Sequence, residues 1–397
     1  MMNARLLGGV LLIIGTTIGG AMLALPIATS QLGFAYSSLS LFVCWLIMTA
    51  GAFLILEVNL WLPRNNNIIS MAKATLGKPG QFVAWVTYLL LLYSLLAAYI
   101  TGGGDFFRNL LTHIGLTVSP FIACVLFTVF LGYIVYQGVR CIDYVNRGLM
   151  FAKLGSYLLL VVFIFPYISP SKLIGGELIH ITNSITVCIV SFGFATIVPS
   201  LRVYFHDDRA MLRKAILIGS FIPLVCYIAW NLTIMGVISR EGDNGLIAML
   251  QSGRSTSEFV EQINVILNKR IITDIARFFT SICLATAFLG VSLGLTDFLA
   301  DGFMVERKGF SNVMIMLVAF VPPLIIALYY PGAFVAALSY AGIYCAILMI
   351  LLPALMVWRG RYHKHIANGF RVPGGKALLL FLMAVSGIVI VLGLSSV

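Results

Sequence analysis

Apolar runs of roughly 18 residues or more recur along the whole chain, separated by short polar stretches, and a run of that length crosses a bilayer as a helix. Spans are expected near 6–30, 37–62, 82–104, 119–136, 148–168, 179–203, 215–238, 271–301, 313–330, 332–358 and 377–396. A β-barrel would show short segments of alternating hydrophobicity instead, and none dominates. The pattern predicts an all-α polytopic membrane protein of about eleven transmembrane helices, forming one domain over 1–397. Two connections carry patterns of their own. Ile68, Ile69, Ala72 and Leu76 share one face of a short helix between Asn67 and Gly77, as expected of an amphipathic segment on the membrane surface. Ser255 and Glu258 make a capping box, and Phe259, Ile263, Ile266 and Leu267 follow as an apolar face. An outer helix packed over the membrane domain, able to act as a lid, is expected there.

Composition agrees. Of 397 residues, 60% are hydrophobic and 10% charged, against about a quarter charged in soluble domains. The net charge of +11 does not point to nucleic acid, because the basic residues sit in short loops between spans rather than in one patch. Assigned to alternate sides of the spans, 18 Lys and Arg fall on one side and 7 on the other. That excess predicts a cytoplasmic N-terminus and a periplasmic C-terminus. The beginning resembles a signal peptide, with Arg5 before Leu6–Ile14 and small residues at Ala24 and Ala28, but hydrophobicity resumes after Gly20. It reads as an interrupted first span. Seven cysteines (44, 124, 141, 188, 226, 283, 345) form no C-x-x-C pair, and six lie in apolar spans. They read as small buried hydrophobes, with no disulfide framework, metal or cofactor expected.

The first span contains GTTIGG (15–20) followed by Pro26; the sixth contains SFGFAT (191–196) followed by Pro199. Gly15 and Gly19 also make a G-x-x-x-G, a common mark of close helix packing. Two such segments favour another reading. Unwound backbone is tolerated in a membrane only where it is buried or lines a cavity. Unwinding leaves half-helices whose N-terminal ends present amides and whose C-terminal ends present carbonyls. Such a pair can hold the carboxylate and the ammonium of a zwitterion together. The breaks open the first and sixth of ten helices, as expected of a five-helix repeat followed by an inverted five-helix repeat, at about 5–168 and 178–358, with a binding site at the midplane. The helix at 377–396 stands outside the repeats.

Several stretches resemble the hydroxy and aromatic amino acid permeases, most closely the bacterial tyrosine-specific ones, of the amino acid–polyamine–organocation superfamily. They are GTTIGGAMLALP (15–26), ILEV (55–58), LLLLYSLLAAYITGGG (89–104), VNRGLMFAK (145–153), SFGF (191–194) with VPS (198–200), GSFIPLVCYIAW (219–230), ATAFLGVSLGLTDFLAD (285–301) and FVPPLIIALYYPGAFVAALSYAG (320–342). The resemblance implies a LeuT-type fold, proton symport of an aromatic amino acid, tyrosine first, and residence in the bacterial inner membrane among lipid. Uptake of serine, threonine or another neutral amino acid, or export, is the alternative within transport. Carried over residue by residue, Gly15, Thr16, Thr17, Ile18, Gly19, Gly20, Ala21 and Met22, with Ser191, Phe192, Gly193, Phe194 and Ala195, would bind the substrate. Phe192 or Phe194 would contact its ring. The chain departs from the family pattern at Ala195, where a histidine commonly follows SFGF.

Lys153 lies about five residues into the fifth span, roughly 7.5 Å along its axis. It could snorkel to the surface beside Arg147. In proton-coupled members of the superfamily a lysine near this place occupies the position that sodium takes in others. By that resemblance Lys153 would touch carbonyls near Thr16 or Thr17 and exchange its proton as access alternates, since desolvation disfavours its charge. Glu57, Asp297 and Asp301 are expected at the inner interface in structural roles, Asp105 and Arg108 as an exposed pair, and His363 and His365 in a solvated turn. Gly290-Val-Ser-Leu-Gly294 matches the G-x-S-x-G pattern of serine hydrolases, but all five histidines map to loops or helix ends. Small residues here are instead expected to let this helix approach the broken first one.

Overall fold

A computed structural model describes residues 4–396 other than 65, 114, 253–254 and 331, and for 113, 139–147, 183, 255–257 and 396 it describes the backbone alone. Cys141, Arg140, Arg147, Arg254 and the Ser255 side of the expected capping box therefore lie outside the described side chains. The described residues are helical, with no strand among them. In chain order the helices are α1 (Ala4–Thr17), α2 (Gly20–Ala28), α3 (Gly33–Trp61), α4 (Ile68–Leu76), α5 (Lys78–His113), α6 (Pro120–Tyr136), α7 (Val139–Ile164), α8 (Ile185–Ser191), α9 (Val198–Tyr204), α10 (Arg209–Val237), α11 (Leu246–Ser252), α12 (Ser255–Leu267), α13 (Arg270–Phe303), α14 (Gly309–Tyr329), α15 (Phe334–Ala346), α16 (Leu352–Tyr362) and α17 (Gly375–Ser396). Among these residues nine segments are long and apolar enough to cross a membrane, and the pair α1–α2, bent by 54°, makes a tenth. The expected eleventh, α6, is an apolar helix of 17 residues.

Each break has a local cause. Thr16 and Thr17 turn their hydroxyls back onto the Ile13 carbonyl, at 2.9 and 2.6 Å, which competes with the helical ladder. Gly19 is then fully extended, and α2 starts afresh at Gly20. In the second break, Ser191 donates back to the Val187 oxygen at 2.8 Å. A 3-10 segment, Gly193–Ile197, follows before α9 restarts with Pro199 in its first turn, where a proline costs no hydrogen bond. The two interrupted spans lie antiparallel. Near the start of α1 a Cβ on Gly8 or Gly9 would come within 2.3 Å of Tyr204 or Phe205, at the end of α9. At the other end the Ser184 hydroxyl, before α8, donates to the Ala28 carbonyl of α2 at 2.7 Å.

One face of the bundle gathers the ends of α3, α9 and α16. There the carboxylate of Glu57, fully buried, accepts two bonds from Arg361 at 2.7 and 2.5 Å and one from the Val372 amide at 2.7 Å. Arg202 donates to Asp207 at 2.5 Å, to Leu62 O at 2.9 Å and to Asn59 O, and Arg64 also binds Asp207. Helix α4 is capped by a reciprocal Asn67–Ser70 box and buries Ile68, Met71, Ala72 and Thr75, so its apolar face is rotated from the expected one. It is docked on α5 and α16, with Arg359 and Lys364 donating to the Leu76 and Ala74 carbonyls at 3.1 and 2.8 Å. Asp297 pairs with Arg307 at 2.5 Å, while Asp301 is exposed.

At the opposite face α12 buries Phe259, Ile263 and Leu267 and leaves Ile266 exposed. Glu258 accepts from Ser252 at 2.7 Å. Phe259 packs on Trp230 (5.6 Å between ring centres), which meets Phe279 (5.3 Å) and Tyr157 (6.3 Å). These four buried rings close that side. Of the cysteines, 44, 124, 188, 283 and 345 are buried and 226 is partly so, all as free thiols.

Two consequences are measurable. Removing one partner of a buried ion pair strands the other's charge. Glu57→Ala should lower stability by about 3–5 kcal/mol, and a Glu57→Met/Arg361→Met double variant should recover most of the loss in a thermal melt. At Asp207, the hydrogen bond from Arg202, aided by Arg64, holds the carboxyl below its usual value. Its folded pKa is thus depressed. Stability from this cluster is present above about pH 4 and lost as pH falls through the folded value. Acid melting curves of the protein and of Asp207→Asn should therefore converge below about pH 4.

Candidate functional site

The two breaks meet at a cavity of about 390 Å³. Its walls come from α1 and the extended link (Leu11, Leu12, Gly15, Thr16, Thr17, Gly19, Ala21), from the second break (Val190, Gly193, Thr196, Ile197) and from α5 (Tyr88, Leu91, Leu92, Leu95, Tyr99). Met150 and Lys153 of α7, the α13 residues Thr286, Ala287, Gly290, Val291 and Gly294, and Cys345 and Met349 complete it. The lining runs from Tyr99 and Ala21, beside the break, toward Leu11, Tyr88 and Gly294, on the side of the Glu57–Arg361 pair. The rings of Tyr157, Trp230, Phe259 and Phe279 shut the other direction.

Lys153 is the ionisable group at this site. Its side chain is 2% exposed, and Nζ donates to the Ile18 carbonyl at 2.5 Å and toward the Gly15 carbonyl at 3.5 Å. It does not snorkel: its stem runs inward and its nitrogen ends on the carbonyls of α1. The carbonyls it grips flank Thr16 and Thr17. On the far side of the break the buried phenol of Tyr227, on α10, lies 2.6 Å from the Thr17 carbonyl and 2.8 Å from the Ser191 carbonyl. It thus ties the last residue of α1 to the last residue of α8. A phenol has one proton to donate, so it serves the two carbonyls in turn.

The expected residues divide. Gly15, Thr16, Thr17, Gly19, Ala21, Gly193 and Lys153 line the cavity. Ile18, Gly20, Met22, Ser191, Phe192, Phe194 and Ala195 do not. Ile18, Met22, Phe192, Phe194 and Ala195 are fully buried in protein, and Gly20 lies under the Tyr99 ring, where a Cβ would come within 2.5 Å. Phe192 packs edge-on against Tyr227 at 5.2 Å. The rings that face the cavity are Tyr88 and Tyr99 instead. Successive residues of a helical turn point different ways, so a contiguous motif cannot all face one space. The departure at Ala195 therefore falls off the cavity wall.

Tyr227, Tyr88 and Tyr99 escaped the sequence reading, whereas the small residues Gly290 and Gly294 of α13, expected to face the broken first helix, line the cavity beside it. A tyrosine in mid-membrane needs a partner for its hydroxyl, and that requirement was the one signal for Tyr227. The G-x-S-x-G motif is not a nucleophile elbow: α13 runs unbroken through it, and the buried Ser292 hydroxyl has no hydrogen-bond partner among the described residues. Gly15 and Gly19 line the cavity and also face neighbouring helices: a Cβ on Gly15 would crowd Met150 Sδ at 3.0 Å, and one on Gly19 would touch Ala287 Cβ at 3.6 Å. No cluster of three potential metal ligands occurs among the described residues, His363 and His365 included. Asp105 and Arg108 line two outer clefts of about 400 and 490 Å³, each away from the breaks.

Residues 2–393 match the family model described as the tryptophan/tyrosine permease family. "Tyrosine-specific transport system 2" of Haemophilus influenzae is 33% identical, over 99% of this chain and 96% of its own length. "Tyrosine-specific transport system 1" of the same organism is 31% identical, over 97% and 95%. Its "Tryptophan-specific transport protein" is 30% identical, over 96% and 93%.

The position of Tyr227 yields a direct test. Tyr227→Phe removes the hydroxyl that spans the two break carbonyls while keeping the ring. Leaving a buried carbonyl unpaired costs about 1–3 kcal/mol, so the variant should be less stable by that amount and melt earlier, at unchanged helical content by circular dichroism. An unaltered melt would mean the carbonyls find other donors.

Proposed function

The chain belongs to the tryptophan/tyrosine permease family, and from that premise we propose that it imports an aromatic amino acid, tyrosine first, together with protons by alternating access across the bacterial inner membrane. It is a permease and not an enzyme, as its relatives are. The observation that carries the reading is the cavity between two broken helices. At one end it offers the carbonyl end of α1 and the amide end of α2, suited to the ammonium and carboxylate of an amino acid. Along its length Leu91, Leu92, Leu95, Val291 and two tyrosines make an apolar wall suited to a ring. A volume of about 390 Å³ is within the range of small-molecule sites.

The antiparallel pairing of the first and sixth crossings supports a LeuT-type arrangement, with inverted repeats at about 5–168 and 178–358 and α17 outside them. The bundle of α1–α2, α3, α8–α9 and α10 would rock against α5, α6, α13 and α14. Basic residues, 18 on the side of the Glu57–Arg361 pair and 7 on the other, favour a cytoplasmic N-terminus and a periplasmic C-terminus. On that orientation the cavity extends inward and the aromatic cluster closes the periplasmic side.

Lys153 is the reading's proton carrier. Charged, it binds the α1 carbonyls of Gly15 and Ile18 and holds the broken helix in place. Neutral, it loses most of that attraction and releases α1. The proton then travels with the conformational change. In proteoliposomes with an inward proton gradient, radiolabelled tyrosine or tryptophan should accumulate, and a protonophore should abolish accumulation. Lys153→Ala should lose uphill uptake while still exchanging label downhill. Undiminished uphill uptake by that variant would remove the lysine; accumulation of serine but of no aromatic substrate would remove the aromatic reading.

A further inference from the structure

The α13 wall of the cavity has an unusual composition. Its lining positions, in order, are Thr286, Ala287, Gly290, Val291 and Gly294. Ala287 touches the break, since a Cβ on Gly19 would lie 3.6 Å from it. From there the helix rises about 4.5 Å to Gly290 and about 10.5 Å to Gly294, away from the zwitterion end. A glycine inside a helix costs about 1 kcal/mol relative to alanine, and in membranes it usually earns its place by letting another backbone approach. Neither glycine does so here: a Cβ built at either position meets no atom within 4 Å. Gly148, Gly155 and Gly387 also meet nothing, but unlike Gly290 and Gly294 they lie off the cavity, and other glycines are tightly packed. A Cβ on Gly51 would lie 2.1 Å from the Met349 carbonyl, and one on Gly342 would lie 2.1 Å from that of Thr186. Those two are packing glycines. Gly290 and Gly294 instead leave open volume in the cavity wall, while Ser292 between them turns into the protein and is fully buried.

We propose that Gly290 and Gly294 form the ring subsite, and that side-chain size at 290 sets the largest substrate the protein carries. The inference rests on the aromatic-substrate reading and deepens it. A substrate held by its charged groups at the α1–α2 break projects its side chain along α13. The ring lies flat over Gly290, opposite Leu91, Leu92 and Leu95 of α5, and the para substituent of tyrosine or the benzo ring of tryptophan points toward Gly294. A methyl group at 290 narrows that slot; a β-branched side chain fills it. Small substrates that need only the break are unaffected.

The test uses the full chain in proteoliposomes, with Gly290→Ala, Gly290→Val and Gly294→Ala compared with the unaltered protein for tyrosine, tryptophan, phenylalanine, serine and alanine. Because no atom lies within 4 Å of a Cβ at either position, the alanine variants should fold, and monodispersity and thermal melting in detergent check these and Gly290→Val. Gly290→Val should lower kcat/KM for tyrosine and tryptophan at least tenfold, chiefly through KM, and leave or raise the uptake of serine and alanine. Gly290→Ala should fall between, and Gly294→Ala should penalise tryptophan and tyrosine more than phenylalanine. Equal losses for large and small substrates, or misfolding of all three variants, would mean that α1 closes on these glycines or that hidden packing uses them, and would overturn the subsite. Unchanged aromatic transport in Gly290→Val would overturn it too. If the unaltered protein takes up no aromatic amino acid, the aromatic reading itself fails, an outcome distinct from the other two.

Discussion

In a hydrocarbon environment every backbone amide and carbonyl must find a partner within the protein, and that requirement governs this molecule. Two of its spans give up part of their helical pairing. Where α1 and α8 end, threonine and serine hydroxyls bond back onto carbonyls three or four residues earlier. The carbonyls set free are then taken by two side chains from opposite directions, the ammonium of Lys153 and the phenol of Tyr227. The break is therefore held from two sides by side chains of two other helices, α7 and α10.

The remainder of the bundle divides into a locked side and a sealed side. Salt bridges and capped helix ends fasten α3, α4, α9 and α16 to one another around Glu57 and Arg202. On the other side the rings of Trp230, Phe259, Phe279 and Tyr157 pack on one another. Ring-on-ring packing is weakly directional, worth about 0.5–1.5 kcal/mol per pair beyond burial, whereas the ion pairs around Glu57 and Arg202 fix their geometry.

Much of the fold was legible in the sequence because membrane spans announce themselves by length and polarity alone. The breaks were legible too, since Gly19 and the Thr16–Thr17 pair disobey the needs of a continuous helix. Which side chains face the cavity was not. In a multi-helix bundle a span is apolar on every face, so no periodicity separates a lipid-facing leucine from a cavity-facing one. Phe192 and Phe194 drew attention because they are aromatic and adjoin the break, yet both pack into protein. Tyr99 and Gly290, distant in sequence from both breaks, reach the cavity only through tertiary packing. The apolar face of α4 was misplaced for a related reason: its position follows from docking on α5 and α16, which local pattern does not encode.

Helix α6 sets a further condition on where the protein can work. Its 17 residues extend roughly 25 Å, against a hydrocarbon thickness of about 30 Å. Phe121, Val129, Phe130 and Tyr133 point outward from it. A flank this short is met by thinning of the adjacent bilayer, by snorkelling of its flanking side chains or by association with another helix, each at a cost of fractions of a kcal/mol per Å. Acyl-chain length thereby enters the energetics of the protein from its periphery.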